Sequence, residues 1–431
     1  MNIEALYKIY RQYPSVQTDT RKLKKDDLFF ALKGPNFNGN KFAKQALDSG
    51  AAYVIVDEKI SFQDGRLFYT DDVLQTLQAL AKFHRVKLAK DSEGRTIPFI
   101  AITGSNGKTT TKELVSRVLS SSFKTYTTEG NLNNHIGVPL TILKIKDDVE
   151  ATVIEMGANH LGEIAGYCEY AMPTHGLITN CGKAHLEGFG GIENVKKGKG
   201  ELFDYLRTHH GTAFVNSDDL SVEQLSSGLE KIISYGKEGK YLKGSVAQSD
   251  PFLEIIIDGD SPLTVKTNLV GAYNFSNVIA AFCIGRFLKV PDQKIKDAIE
   301  NYEPSNSRSQ LIKDGSNLII LDTYNANPGS MKAAIENFAA MKSDKKILLL
   351  GSMMELGNES RNEHAAIINL IDKYSWEEVV LVGKGFAEIE NEYVNFENSL
   401  MAKDWLKNLQ PDNAQILVKG SRSMQMEKVL E

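Results

Sequence analysis

The sequence predicts an α/β protein of three domains, built around a central parallel-sheet domain that binds phosphate. Three observations predict it. The 431-residue length suits about three domains of ~150 residues. Short apolar runs alternate with helix-period segments along the whole chain, the pattern of parallel sheets covered by helices. Residues 97–119, IPFIAITGSNGKTTTKELVSRVL, set an apolar run, a glycine loop and an amphipathic segment in that order. The expected division is a small N-terminal α/β domain over 1–92, a central P-loop domain over 93–311 carrying a small antiparallel sheet, and a C-terminal Rossmann-like domain over 312–431.

In the first domain, the apolar run 28–32 follows Asp19-Thr20-Arg21 and precedes a turn-rich KGPNFNGN. Residues 42–47 and 74–86 read as helices and 52–56 as a strand. Taken alone, the polar stretches 19–21 and 36–40 read first as ordinary turns, with a polar-ligand loop as the alternative. The charged segment 90–96, KDSEGRT, reads as a linker.

The central domain opens on the strand 97–102, apolar enough to be buried on both faces. Thr103, Gly104, Ser105, Asn106, Gly107, Lys108, Thr109 and Thr110 follow, and then a helix with Leu114, Val115, Val118 and Leu119 on one face. Small residues let backbone N–H groups approach a phosphate, and the helix end adds about half a positive charge. Lys108 is long enough for the outer phosphates, and the Thr109 hydroxyl suits magnesium. The usual P-loop needs glycine at 102, where this chain has Ile102, so the loop is a compact variant. Further strands are expected at 151–154, 176–178 and 212–215. Ligands gather beyond the carboxyl ends of such strands, which directs attention to Glu155 and to the loop GKAHLEGFGG with His185. Glu155 and His185 read equally as a magnesium pair or as ordinary polar side chains. Alternating residues over 240–270 suggest the antiparallel sheet, and Asn274 and Asn277 open a helix either as caps or as base readers. In the C-terminal domain, strands are expected at 318–321, 347–350, 379–382 and 415–418, and a helix at 329–341.

Composition sets the outer limits. Hydrophobic content of 42% and 24% charged residues are ordinary for a globular protein. The net charge of −5 offers no basic field for nucleic acid. Three scattered cysteines suit a reducing compartment. No apolar run reaches the ~18 residues of a membrane span, and the first ten residues lack a signal core. The expectation is a cytoplasmic protein.

As a set, the motifs TGSNGKTTTKE (103–113), EGNLNNHIGVP (129–139), EMGANHLGEI (155–164), AHLEGFGG (184–191), GKGELF (198–203), DTYNANPGSM (322–331), GSMMELG (351–357) and VKGSRSMQME (418–427) resemble the Mur ligase family. Within that family they match the member that adds a dipeptide. The resemblance implies an ATP-dependent ligase joining D-Ala-D-Ala to the peptide carboxylate of UDP-MurNAc-tripeptide through an acyl phosphate, the last cytoplasmic step of peptidoglycan precursor synthesis. It implies ATP and two magnesium ions, with Lys108 on the β/γ-phosphates, Thr109, Glu155 and His185 at metal, and Lys199 carbamylated and helping to position metal. Lys108, Lys199, His185 and Glu155 are thereby the implied catalytic group. It further implies nucleotide contacts at Asn274, Arg308, Asp322 and Asn325. Substrate contacts are implied at Asp19, Thr20, Arg21, Asn131, Asn133, Asn134, Tyr324 and Asn327. A monomer with small-molecule substrates is expected, and the third peptide residue stays open between diaminopimelate and lysine. The chain departs from the family pattern at Asn38 and Asn40, at Tyr273 and at Ser352. The alternatives are a sister ligase that adds one amino acid and a nucleotide-binding relative without activity. The absence of a D-N-P-R motif argues against the diaminopimelate-adding ligase, and the presence of Lys108, Thr109, Glu155, His185 and Lys199 argues against an inactive relative.

Overall fold

The structure is a computed structural model that describes residues 2–90, 93–304 and 307–431. Asp91 and Ser92, in the expected linker and at the end of the expected first domain, lie outside the described residues. The chain forms two compact units.

The first unit holds residues 1–101, 123–157 and 162–176. Its parallel sheet runs Val16–Gln17, Leu28–Phe30, Tyr53–Val56, Leu67–Tyr69 in spatial order. Phe29, Val54 and Val56 point into a core closed by Ala43, Ala46 and Leu47 of the helix Ala43–Asp48. KGPNFNGN forms a small hairpin, Lys33–Gly34 against Phe37–Asn38. The helix Val73–Lys87 starts at Asp72, whose carboxylate accepts from Gln75 N. Near its end, Arg85 donates to the Ala171 and Met172 carbonyls and lies 3.5 Å above the Phe99 ring centre. Those bonds satisfy a nearly buried guanidinium, which is the condition for burying one at all. Thr125–Thr127 pairs in parallel with Ala151–Glu155, and Thr152 N donates to Pro98 O.

The second unit holds residues 102–122, 158–161 and 177–431. The strand Phe99–Thr103, which enters it at Ile102, is buried throughout, as its unbroken apolar run requires. The expected small antiparallel sheet is not separate. Leu242–Gln248, Phe252–Ile257 and Leu263–Val270 pair antiparallel with one another. Leu242–Gln248 also joins Lys231–Gly236 in parallel through Tyr235–Leu242 and Gly236–Lys243, so the hairpin extends the central sheet. A second sheet runs Gln310–Asp314, Asn317–Asp322, Gln415–Lys419, Lys346–Gly351, Glu378–Val382, Val394–Phe396. Its first strand is antiparallel and the rest are parallel. Ile319, Leu349, Val380, Ile416 and Val418 form its core. The register sets Asp322 beside Lys419 at the carboxyl ends of adjacent strands. Among the described residues no helix is long and apolar enough to cross a membrane.

Candidate active site

The phosphate loop is built as its sequence demands. Gly104 has φ +138°, and a Cβ there would lie 2.0 Å from Thr179 Oγ1. Gly107 has φ +79°, and its Cβ would lie 2.4 Å from Asn277 Oδ1. Any side chain at either position meets both backbone strain and a collision. The loop is pinned from the next strand end. Ser105 N donates to Asn180 O (2.9 Å) and Ser105 Oγ to Gly182 O (2.7 Å). Asn106 N donates to Asn180 Oδ1, while Asn106 O accepts from Thr179 Oγ1 at 2.6 Å and Asn180 Nδ2 at 3.0 Å. Lys108 opens the helix Lys108–Ser120, and its Nζ donates to the Gly104 and Ser105 carbonyls at 2.8 and 3.1 Å. Thr109 and Thr110 complete the first turn. Thr103 Oγ1, at the mouth of the loop, is buried without a hydrogen-bond partner. A loop whose two glycines have no room for a side chain, an orphaned buried hydroxyl and a helix N-terminus together fit a polyphosphate.

His185 follows the same strand end in a left-handed conformation, φ +52°. Its Nδ1 meets Glu355 Oε2 at 2.5 Å, and Glu187 N donates to Glu355 O at 3.1 Å. The hydrogen bond from His185 holds the Glu355 carboxyl below the ordinary carboxylate range, against the opposing pull of burial. Lys183 and Glu363 form a neighbouring ion pair at 2.5 Å. Lys199 is fully buried within the helix Ile192–Thr208, flanked by Gly198 and Gly200. Its Nζ donates to Ala158 O at 2.8 Å and lies 5.1 Å from the Phe189 ring centre. A buried ammonium is costly, so its place here is a chemical signal.

Glu155 belongs to the first unit, at the end of its buried strand and 2% exposed. Asn133 Nδ2 donates to Glu155 Oε1 at 2.7 Å, and Glu155 N donates to Thr128 Oγ1. Asn134 accepts from the Ile136 and Gly137 amides, and Asn131 is exposed. Asp19 caps the short turn Thr20–Lys22. Hydrogen bonds from the Arg21 guanidinium and amide pull its carboxyl down to about 2. Asn40, at one family departure, is tied to Asp57 through both its amide atoms.

The C-terminal strand ends carry a second cluster. Lys419, with its side chain 1% exposed, reaches Asp322 Oδ2 at 2.5 Å and the Asn325 carbonyl at 3.4 Å. Asp322 Oδ1 accepts from Ser309 N, and Ser309 Oγ meets the Tyr273 hydroxyl at 2.8 Å. Tyr273, which stands where the family has histidine, thus braces the segment that carries Arg308. Arg308 lies 3.6 Å over the Tyr324 ring, a cation–π contact. Asn325 Oδ1 accepts from Ala326 N. Ser352 Oγ donates to Val382 O. Asn274 is 3% exposed; its amide donates to Val270 O and accepts from Asn277, whose oxygen accepts from Thr111. Neither asparagine caps the helix Phe275–Phe287, which has no side-chain cap bond at its start; their side chains bond to each other, to Val270 O and to the Thr111 hydroxyl.

The second unit brings together the loop 103–110, Thr179, Asn180 and Asn327. It also joins His185 to Glu355, Asp322 to Lys419 and Arg308 to Tyr324. The first unit joins Asn133 to Glu155. Among the described residues no group of three His, Cys, Asp or Glu side chains is placed to hold a metal ion. Sequence reasoning did not single out Glu355, although it lies in the quoted motif GSMMELG shortly after the strand Lys346–Gly351.

Comparison with known proteins gives one consistent answer. Residues 12–87 match the Mur ligase family catalytic domain, 102–285 the Mur ligase middle domain, and 307–422 the Mur ligase glutamate ligase domain. The chain is 33% identical over 429 residues to the UDP-N-acetylmuramoyl-tripeptide–D-alanyl-D-alanine ligase of Bacillus subtilis, covering 96% of this chain and 92% of that protein. It is 33% identical over 428 residues to the Escherichia coli enzyme of the same name, with the same coverage. Among solved structures, MurF from Acinetobacter baumannii superposes with a TM-score of 0.88 at 30% identity, covering 96% and 92% of the two chains. MurF from Thermotoga maritima in complex with ADP gives 0.83 at 26% identity, covering 96% of each.

Proposed function

This chain belongs to the Mur ligase family, and on that premise we propose that it uses ATP to join D-alanyl-D-alanine to the peptide carboxylate of a UDP-N-acetylmuramoyl-tripeptide. One observation carries the reading. The 33% identity with the B. subtilis ligase runs over 96% of the chain, so it covers the substrate-handling segments as well as the nucleotide fold.

The chemistry explains the parts. A carboxylate does not react with an amine in water, because its leaving group is oxide. Transfer of the γ-phosphoryl group of ATP to the carboxylate oxygen makes an acyl phosphate. The dipeptide amine attacks the carbonyl carbon, the C–O bond to phosphate breaks, and inorganic phosphate leaves. Lys108 and the loop amides stabilise the charge that moves between the oxygens. Asn274, Arg308, Asp322 and Asn325 surround the nucleotide. Asp19, Thr20, Arg21 and the asparagines 131, 133 and 134 take the UDP-sugar, and Tyr324 lines the acyl acceptor side.

The family implies magnesium. The hydroxyl of Thr109 and the carboxylate of Glu155 are hard oxygen donors of the kind that ion takes. His185 would offer Nε2 to that ion, since Nδ1 is committed to Glu355. Magnesium, when bound, neutralises phosphate charge. Lys199 is the residue we assign to carbamylation: its ammonium loses a proton, the free amine adds to carbon dioxide, a second proton leaves, and a buried cation becomes a buried anion that would favour a nearby cation. The reaction belongs in the cytoplasm, a reading supported by three cysteines that form no disulfide.

The test is phosphate release from ATP with each substrate alone and with both. Release that needs both the UDP-tripeptide and the dipeptide supports the reading. Release that proceeds equally with a single amino acid and a shorter UDP-peptide reassigns the chain to a sister ligase.

A further inference from the structure

We propose that Asn327 is a positioning residue: it latches the C-terminal domain to the phosphate loop through Asn106. The proposal rests on the ligase reading above, and it moves Asn327 from touching substrate to setting the geometry in which substrates meet.

The hydrogen bonds determine the orientation of both amides. Ser330 N–H donates to Asn327 Oδ1 at 2.9 Å, and Asn327 N–H donates to Ser330 Oγ at 3.1 Å. This reciprocal pair caps the helix Pro328–Ala340. With Oδ1 fixed on a backbone donor, Nδ2 has to face the other way. It donates to Asn106 Oδ1 at 2.7 Å. Asn327 is 7% exposed, so the contact lies in a nearly closed setting. Asn106 is bound equally firmly. Its backbone N–H and carbonyl are taken by Asn180 and Thr179, which leaves its side chain for Asn327. The helix start also approaches closely: a Cβ on Gly329 would stand 3.3 Å from Asn106 Nδ2.

One side chain therefore does two things in one conformation. It caps a 13-residue helix of the C-terminal sheet and holds the third residue after the strand that leads into the phosphate loop. Turning the amide over would break both bonds. The latch thereby ties the loop 322–327, and through Asp322 the strand-end cluster with Lys419, to the loop that leads into Lys108. Such positioning matters because an acyl phosphate and an amine react only when aligned.

The variants separate the two duties. Asn327→Ser keeps a good N-cap but is too short to reach Asn106. Asn106→Ala removes the same contact from the other side and leaves its backbone bonds in place. Amide exchange on the ligand-free protein reads the latch without any substrate. In both variants, peptides covering 103–107 and 322–327 should lose protection together, while the interior of the helix 328–340 keeps it. In turnover, each variant should lower kcat about three- to tenfold, the net worth of one neutral hydrogen bond. The double variant should be no worse than the worse single, and the dipeptide KM should stay within about twofold, since no substrate contact is lost. Unchanged exchange at 103–107 in Asn327→Ser overturns the latch. So does a raised dipeptide KM with unaltered kcat, because that marks a substrate contact. A wild-type protein that fails to ligate refutes the ligase reading alone, and the exchange result still decides the latch.

Discussion

Asn133 Nδ2 donates to Glu155 Oε1 at 2.7 Å. The resemblance assigned these residues to different duties, a sugar contact and a metal ligand, yet one holds the other. Gly157 tightens the arrangement: its amide donates to the Asn133 carbonyl, and a Cβ on it would sit 3.0 Å from the Asn133 side chain. An Asn133→Ala variant should loosen Glu155. Loss of an outer hydrogen bond of this kind typically costs ~10–100-fold in metal affinity or activity. Titrating turnover with magnesium should show a raised half-saturation point. An unchanged titration with a raised KM for the UDP-peptide would restore Asn133 to sugar binding.

Glycine at 104 is required by space and by backbone. Gly104→Ala should abolish nucleotide binding, because its methyl would occupy the place of Thr179 Oγ1. Gly166 gives the contrast: it is exposed within the helix Glu163–Ala171, and a Cβ there would meet nothing within 4 Å. Gly166→Ala should stabilise by ~0.5–1 kcal/mol. Calorimetry with ADP and a thermal melt read the two effects, and tight ADP binding by Gly104→Ala would remove the loop from the site.

The phosphate loop was legible because strand, loop and helix are contiguous and each has its own chemical signature. The long apolar strands were legible for the same reason. Short or partly exposed strands were not: Val16–Gln17 has two residues, and Lys231–Gly236 begins with two exposed ones, so neither shows a clean period. The antiparallel hairpin was visible as strands, but its junction with the central sheet rests on two residue pairs without a sequence signal. Pairings such as His185–Glu355, 170 residues apart, follow from tertiary placement alone. Tyr273 and Ser352 departed from the family pattern, and the structure gives each a bond within the protein.

Stability should fall in mild acid. Burial lowers the His84 pKa, and the ring is neutral, with Nε2 bonded to Ile145 O and Nδ1 to the Tyr7 hydroxyl. Burial also lowers that of His364. The folded values lie below the unfolded value of about 6.5, so the unfolded chain binds more protons between the two. Stability is then complete above about 6.5 and declines as pH drops toward the folded values. Urea midpoints at pH 7.5 and 5.5 test this. His84→Gln should lose less between those two pH values than wild type; an equal loss would mean that His84 does not contribute.

Lys199 should carry a carbamate in the resting enzyme. A carbon-13 signal from labelled carbon dioxide, absent in Lys199→Arg, is the expected result. Full activity in carbon dioxide-free buffer with no such signal would leave Lys199 as a buried amine held by Ala158.

Mass spectrometry of the product from UDP-N-acetylmuramoyl-tripeptide, ATP and D-alanyl-D-alanine tests the central claim most directly. The account predicts a product heavier than the tripeptide substrate by the dipeptide less one water, with one phosphate released for each product formed. ATP turnover that yields no such product, or a product heavier by a single amino acid, would contradict it.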